Sequence, residues 1–415
     1  MAQAMALERA VTPRLPSMRA LRYPNFRWFW ISTSGQAVAQ GMQFLILGWL
    51  VLELTGSTSQ LGLTIFFYGI PNLTLVLFGG IFADRIDRRK LLLFSQFGVT
   101  VIMFVVATLT VTDLVAVWQI YVASFLLGTL HAINMPTRLA MVVNLVERED
   151  IMNAVVLNAG VMNAGRIIGP AVAGFIIDLL DIGPALFVNA GCYLGAASCV
   201  LMIRNFVQDK QDRRTNILGA LREGLVYFGK TPLVFTIVGI GFAFGFFGMP
   251  HVQVMPAFAR EVLEATAGEA GLLITAAGIG SLLANVALAM LGNFRKKNLL
   301  LIGALLVFEV ALFAFAWSHW FWVSWAILLF VGMGSIGYIS LGTTVLQLSV
   351  PQELQGRVMS LWYVSAGFMF IGSLPMALVA DLASWPVALG GGAIICLAFT
   401  LWLAILRPTL RRLEV

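Results

Sequence analysis

Apolar runs of about 20 residues, each long enough to cross a bilayer core of roughly 30 Å, recur along almost the whole chain. Together with the breaker residues between them, they predict spans at 28–51, 60–82, 91–111, 114–137, 151–177 and 183–203, then 233–256, 270–291, 298–317, 321–345, 357–381 and 386–406. The polar stretches between spans are short except for 205–231, which divides the chain near its middle. Within it Ile217, Leu218, Leu221, Leu225 and Phe228 recur at helical spacing beside Arg222 and Glu223. That pattern predicts an amphipathic helix lying on the membrane surface rather than crossing it. The expected architecture is an all-α integral membrane fold of twelve transmembrane helices in two pseudo-symmetric six-helix bundles. Its parts are an N-terminal tail (1–27), a first bundle (28–204), a linker (205–231), a second bundle (232–406) and a C-terminal tail (407–415).

Composition agrees. Of 415 residues, 60% are hydrophobic and only 11% charged, too little charge to cover the surface of a soluble domain of this size. The net charge of +6 would suit a nucleic-acid binder, but the placement of the bases excludes one. They gather in alternate short loops: Arg85, Arg88, Arg89 and Lys90; Arg148; Lys210, Arg213, Arg214, Arg222 and Lys230; Arg295, Lys296 and Lys297; and Arg357. The intervening loops carry Glu53, Asp113, Asp178, Asp181, Glu261, Glu264, Glu269 and Asp381, with Arg260 the only clear base. Positive residues mark the cytoplasmic side, so both termini are expected in the cytoplasm. The first 27 residues hold five arginines against one glutamate, without an apolar stretch and cleavage site; a retained basic tail is expected rather than a signal peptide. Cys192, Cys199 and Cys396 lie inside apolar segments, with no disulfide or metal spacing.

The halves read as copies. Val146, Glu149, Gly169 and Asp178 are echoed by Val350, Glu353, Gly372 and Asp381, and Arg88-Arg89-Lys90 by Arg295-Lys296-Lys297, at a consistent offset of about 205 residues. Repeats of this kind in helical membrane proteins rock about a central site.

Two motifs carry a resemblance. Gly79-Gly80-Ile81-Phe82-Ala83-Asp84-Arg85-Ile86-Asp87-Arg88-Arg89-Lys90, between spans two and three, resembles the signature loop of the major facilitator superfamily, with Phe82 in place of a leucine and Asp87 in place of a glycine. The resemblance implies that Gly80, Asp84, Arg85, Arg88 and Arg89 form a cytoplasmic gate, Asp84 and Arg85 helping to latch the halves in the outward-open state. Span five contains Gly165-Arg166-Ile167-Ile168-Gly169-Pro170 and then Gly174. Physically, glycines so spaced permit close helix approach, and Pro170 removes a backbone donor. Gly165, Gly169, Pro170 and Gly174 also resemble the antiporter motif of facilitator-family exporters. Met135-Pro136-Thr137-Arg138, Asn153-Ala154, Asn158, Asn163 and Gly356-Arg357-Val358-Met359-Ser360 extend the likeness to the bacterial branch of enterobactin and macrolide exporters.

Polar groups inside spans must face protein or water, since a mid-membrane charge costs at least about 2.5–3.5 kcal/mol. Gln36, Gln40 and Gln43 share one face of span one, and His131 and Asn134 lie on span four. The resemblance makes these spans line a central cavity, although interhelical hydrogen bonding is an equally ordinary role for such residues. Arg166, near the middle of span five, could bind an anionic group or pair with an acid; Arg138, at the end of span four, could snorkel. Glu309 in span nine is a candidate proton carrier, and His131 and His251 in spans four and seven are candidate proton acceptors, each with the plainer alternative of a satisfied buried group. No phosphate-binding loop and no cluster of catalytic residues is present, so neither ATP hydrolysis nor a polytopic membrane enzyme is expected. The sequence thus predicts a monomeric, cofactor-free and metal-free secondary exporter of small amphiphilic molecules in the bacterial inner membrane, coupled to protons. A lipid or metabolite transporter of the same fold is the alternative.

Overall fold

The computed structural model describes residues 18–204, 226–291 and 297–406; the side chains of 76–85 and 403–406 are outside the description. The predicted N-terminal tail before residue 18, the whole predicted C-terminal tail and the predicted linker up to residue 225 therefore lie outside the described residues.

Every predicted span falls on a helix. The first set comprises α1 (Pro24–Thr55), α2 (Thr58–Arg85), α3 (Arg88–Val111), α4 (Val117–Asn144), α5 (Ile151–Leu180) and α6 (Ile182–Leu201). After the linker come α7 (Pro232–Val262), α8 (Ala267–Leu291), α9 (Lys297–Ala316), α10 (Phe321–Ser349) and α11 (Gln352–Leu382). The last, α12, is a turn Pro386–Gly390 running into Gly391–Leu406. Among the described residues, nine helices are long and apolar enough to cross a membrane. Helix starts follow local chemistry: Pro24 and Pro232 occupy first-turn positions where their missing N–H costs nothing, and Asp87 accepts from the Lys90 amide at 3.1 Å to cap α3. Asp87 is thus a helix cap where the signature loop has a glycine.

The seventh span is not the single regular helix expected. It is α-helical over Pro232–Ala243, loosens into a π turn at Phe244–Gly248, and resumes at His251–Val262. Gly245 and Gly248 weaken the helix there and Pro250 withholds a donor; the Met249 amide instead reaches the Phe244 carbonyl at 2.8 Å.

Within the first set, α1 packs on α5 and α6, α2 on α4, and α3 on α6 and α4. Within the second, α10 packs on α8 and α9, and α11 on α7. The sets meet along two seams, α5 against α8 and α2 against α11. Residues separated by the repeat offset do the same job in each set. An added Cβ at Gly128 on α4 would sit 2.1 Å from the Tyr68 carbonyl oxygen on α2, and one at Gly332 on α10 would sit 1.9 Å from the Ala277 carbonyl oxygen on α8. At Gly169 on α5 it would strike α1 at the Val38 carbonyl oxygen, 2.5 Å away; at Gly372 on α11 it would strike α7 at the Phe246 carbonyl oxygen, 2.0 Å away.

Candidate functional site

One end of the molecule carries the acidic connections and is drawn shut by two matching latches. Asp178, at the end of α5, accepts from the Thr266 hydroxyl (2.8 Å) and the Gly268 amide (3.0 Å) at the start of α8. Asp381, at the end of α11, accepts from the Ser57 hydroxyl (3.0 Å) and from the Thr58 and Ser59 amides (3.2 and 2.7 Å) at the start of α2. Each carboxylate meets the unsatisfied N–H groups and positive dipole end of a helix from the other set. Glu261 adds a further tie, accepting from the Thr58 hydroxyl at 2.6 Å and from the Trp385 indole at 2.8 Å. Below the latches the seams have room only for backbone: an added Cβ at Gly174 would lie 2.1 Å from the Ala267 carbonyl oxygen, and one at Gly62 would lie 2.6 Å from the Ala377 Cβ. At the opposite, basic end, the ends of α4, α5, α10 and α11 expose Leu139, Val155, Leu348 and Tyr363.

The latched end terminates inward on an aromatic floor. Phe44, Tyr68 and Phe370, from α1, α2 and α11, form one cluster with centroid separations of 5.1, 5.3 and 6.4 Å. His131 lies 6.1 Å from Tyr68 and is held by the Gln40 amide nitrogen at 2.8 Å. Arg166 projects from the middle of α5, within electrostatic reach of both Tyr68 and His131, and remains solvent-accessible while surrounded by protein. Its neighbour Gly165 fixes that orientation, because a side chain at 165 would collide with Ala37 of α1.

Behind this surface is a buried polar network. Gln36 donates to the Asn134 side-chain oxygen at 2.7 Å and accepts from Gln96 at 3.0 Å, while the Asn134 side-chain nitrogen donates to the Ser95 hydroxyl at 2.7 Å. Arg138 is only 3% exposed and bonds Thr33, Gln36 and Asn134, with its guanidinium 5.4 Å over the Phe29 ring. The expectation that it snorkels is thereby corrected: a guanidinium with five donors is satisfied by the hydroxyl and amides of α1 and α4 instead of by the interface. A small cavity with room for about one water, lined by Gln36, Gln43, Tyr68, Gln96, His131, Asn134 and Tyr193 among others, sits within this network.

The structure therefore brings together Gln36, Gln40, His131, Asn134, Arg138 and Arg166. It does not bring Glu309 or His251 to them. Glu309 is buried between α9 and α12, accepting from the Thr400 hydroxyl at 2.6 Å. His251 is buried in the second set, Nδ1 against the Gly248 carbonyl at 2.7 Å and its ring 5.7 Å from Phe308. In the signature loop, Arg88 reaches the Ala140 carbonyl (3.2 Å) and Asn144, and Arg89 reaches the Val200 and Leu201 carbonyls (3.3 and 2.8 Å), tying α3 to the ends of α4 and α6. The side chains of Gly80, Asp84 and Arg85 lie outside the described residues. Gly165 and Gly169 face α1, Gly174 faces α8, and Pro170 presents its carbonyl to Gly271 of α8, so the antiporter-like motif packs α5 on α1 within the first set and on α8 across the seam. Sequence reasoning missed Tyr68, Ser95, Gln96 and Tyr193. The adjacent Ser95-Gln96 pair inside an apolar run was a usable signal; Tyr68 gave none.

Comparison with known proteins places these features. Residues 16–414 match the family described as transmembrane secretion effector. The staphyloferrin A transporter of Staphylococcus aureus is 25% identical over 350 residues, covering 81% of this chain and 84% of that protein. Macrolide efflux protein A of Streptococcus pyogenes is 22% identical over 393 residues, covering 91% and 96%. Among solved structures, a mutant of the nucleoside transporter NupG superposes with a TM-score of 0.77 at 11% identity, over 92% of this chain and all of that one, which establishes likeness of fold.

Proposed function

Because the chain belongs to the transmembrane secretion effector family of major facilitator transporters, we propose that it exports small amphiphilic molecules across the bacterial inner membrane by alternating access. Two six-helix bundles, 28–204 and 232–406, rock about the α5/α8 and α2/α11 seams, joined by the 205–231 linker. The acidic, latched end is periplasmic and the basic end, with both termini, cytoplasmic, following the distribution of lysine and arginine. On that orientation the latched end closes the periplasmic side, and Asp84 and Arg85 would help to latch the basic end in the outward-open state.

The observation that carries this reading is the pairing of a doubly latched end with a solvent-reachable polar surface halfway along α1, α4 and α5, directly beneath the aromatic floor. Cargo entering from the basic end would meet Gln40, His131 and Arg166 before it met the closed seam. Coupling to the proton-motive force is part of the proposal, with His131 as the titratable group on that surface, because Glu309 and His251 are committed to packing elsewhere.

The test is transport in everted membrane vesicles energised with a respiratory substrate, across a panel of fluorescent amphiphiles. Accumulation that an uncoupler abolishes is expected for a subset of the panel. A panel that shows no gradient-dependent accumulation would overturn the assignment.

A further inference from the structure

The charge at the midplane surface is unbalanced. Arg138 and Arg166 both act electrostatically on His131, and among the described residues no carboxylate acts on His131, Tyr68, Tyr193 or either arginine. Arg138 already bonds Thr33, Gln36 and Asn134, one through each of its three nitrogens. Arg166 has not: among the described residues it makes neither an ion pair nor a hydrogen bond, although it stands at the midpoint of a 30-residue membrane helix. A structural arginine at that depth is normally paired with an acid or with backbone carbonyls, because an unmatched charge there is expensive. Facing lipid is excluded by its neighbours on α5: Gly165 abuts Ala37 of α1, Ile167 abuts Gly278 of α8, and Pro170, one turn on along the face of Arg166, is buried against Gly271 of α8.

We propose that Arg166, assisted by Gln40 and His131, is the docking site for the anionic group of the cargo, whose apolar body lies against Phe44, Tyr68 and Phe370. The inference rests on the exporter reading and deepens it: the transported class is organic anions with an aromatic or aliphatic body, such as carboxylates, sulfonates or phenolates. A guanidinium offers a planar fork of donors that matches such oxygens, and Gln40 supplies a neutral donor beside it. The aromatic floor spans both sets, with Phe44 and Tyr68 in one and Phe370 in the other, so a bound body touches both sides of the seam that must part during transport. Negative cargo has a further consequence. An interior-negative membrane potential drives it outward, by about fifty-fold in concentration ratio per charge for each 100 mV.

The full-length protein in nanodiscs of zwitterionic lipid provides the test. Three probes share a naphthalene body and differ only in the head: a sulfonate, a neutral sulfonamide and a trimethylammonium. Equilibrium binding is measured against empty discs for the parent protein, Arg166→Gln and Arg166→Lys. The sulfonate is expected to bind about ten- to hundredfold tighter than the sulfonamide, the worth of a hydrogen-bonded charge, with the ammonium weakest. Arg166→Gln should erase that preference and Arg166→Lys should restore part of it, which separates loss of the charge from loss of the fold. Equal affinity for the three heads in the parent protein, no sulfonate binding at all, or a sulfonate preference that survives in Arg166→Gln would each overturn the proposal. The measurement involves no transport. Vesicles that carry amphiphiles without regard to head charge would remove the anion site and keep the exporter, whereas sulfonate-selective binding without any flux would do the reverse.

Discussion

Removing the two latch carboxylates should open the acidic end. Asp178 and Asp381 each stand at a helix N-terminus of the other set and accept two and three hydrogen bonds there. A side-chain cap of this sort is worth about 0.5–2 kcal/mol, and the charge–dipole attraction another 0.3–1 kcal/mol at an exposed site. Both carboxylates are exposed, so solvent screening holds each latch near ~1 kcal/mol in all. The latches share no partner, so their effects should add, giving about 2 kcal/mol for Asp178→Ala with Asp381→Ala, or roughly thirtyfold in the ratio of latched to unlatched molecules. The assay is a spin-label distance between Asp113→Cys and His319→Cys, exposed positions beside the α3–α4 and α9–α10 connections at that end, in a background lacking Cys192, Cys199 and Cys396. The short-distance population of the parent should fall in each single variant and fall further in the double. Asn at the same positions keeps an acceptor and loses the charge, so it should have a smaller effect than Ala. A distance distribution in the double variant identical to that of the parent would refute the latch reasoning.

Three further outcomes follow from the packing. Gly174→Val places branched carbon where the Ala267 backbone already is; overpacking of this kind costs about 1–3 kcal/mol, so the variant should favour the parted seam in the same distance measurement and lose transport. Arg138→Leu strips a donor from Gln36 and Asn134, each of which keeps another partner, so thermal unfolding in detergent should report a loss of about 1–3 kcal/mol rather than collapse. Glu309→Gln retains an acceptor for the Thr400 hydroxyl on the far side of the second set, and vesicle flux should stay within about twofold of the parent; a tenfold loss would restore Glu309 as a coupling residue.

The helices were legible in the sequence because hydropathy over a span-length window is a local property, and the polar network was half legible because an amide in an apolar run must find a partner. Gln36, Gln40, His131 and Asn134 announced themselves in that way. Glu309 and His251 gave the same signal and proved to be buried within the second set, Glu309 with one carboxylate oxygen bonded to Thr400 and the other without a partner among the described residues. For Glu309 the difference is helix rotation, which the sequence does not encode in a readable form: α9 is apolar on every side, so no polar stripe indicates which face looks toward the seam. His251 instead begins an amphipathic stretch, His251–Val262, with its ring turned to the Gly248 carbonyl and Phe308. Tyr68 was silent for another reason. An aromatic in an apolar helix is unremarkable until Gly128 lets α4 approach closely enough to set His131 beside it.

Those glycine contacts also bear on where motion can occur. Inside the first set, α1 meets α5 at Gly165 and Gly169, and α2 meets α4 at Gly128, with added Cβ atoms falling 2.1–2.5 Å from neighbouring backbone or side-chain atoms; inside the second, Gly332 and Gly372 do the same for α8/α10 and α7/α11. Backbones that close cannot slide without clashing, because packed interfaces are bistable rather than continuously deformable. The seams between sets are different. They are equally tight at the acidic end, at Gly174 and Gly62, but at the midpoint they are filled by side chains, Phe370 on Tyr68 and Ile167 on Gly278, which can change rotamer as the seam opens. Arg166 immediately precedes Ile167 on α5. A ligand held by Arg166 therefore pulls on the residue where the rigid part of the α5/α8 seam gives way to the adjustable part, which is where differential binding between two states has the most leverage on their populations.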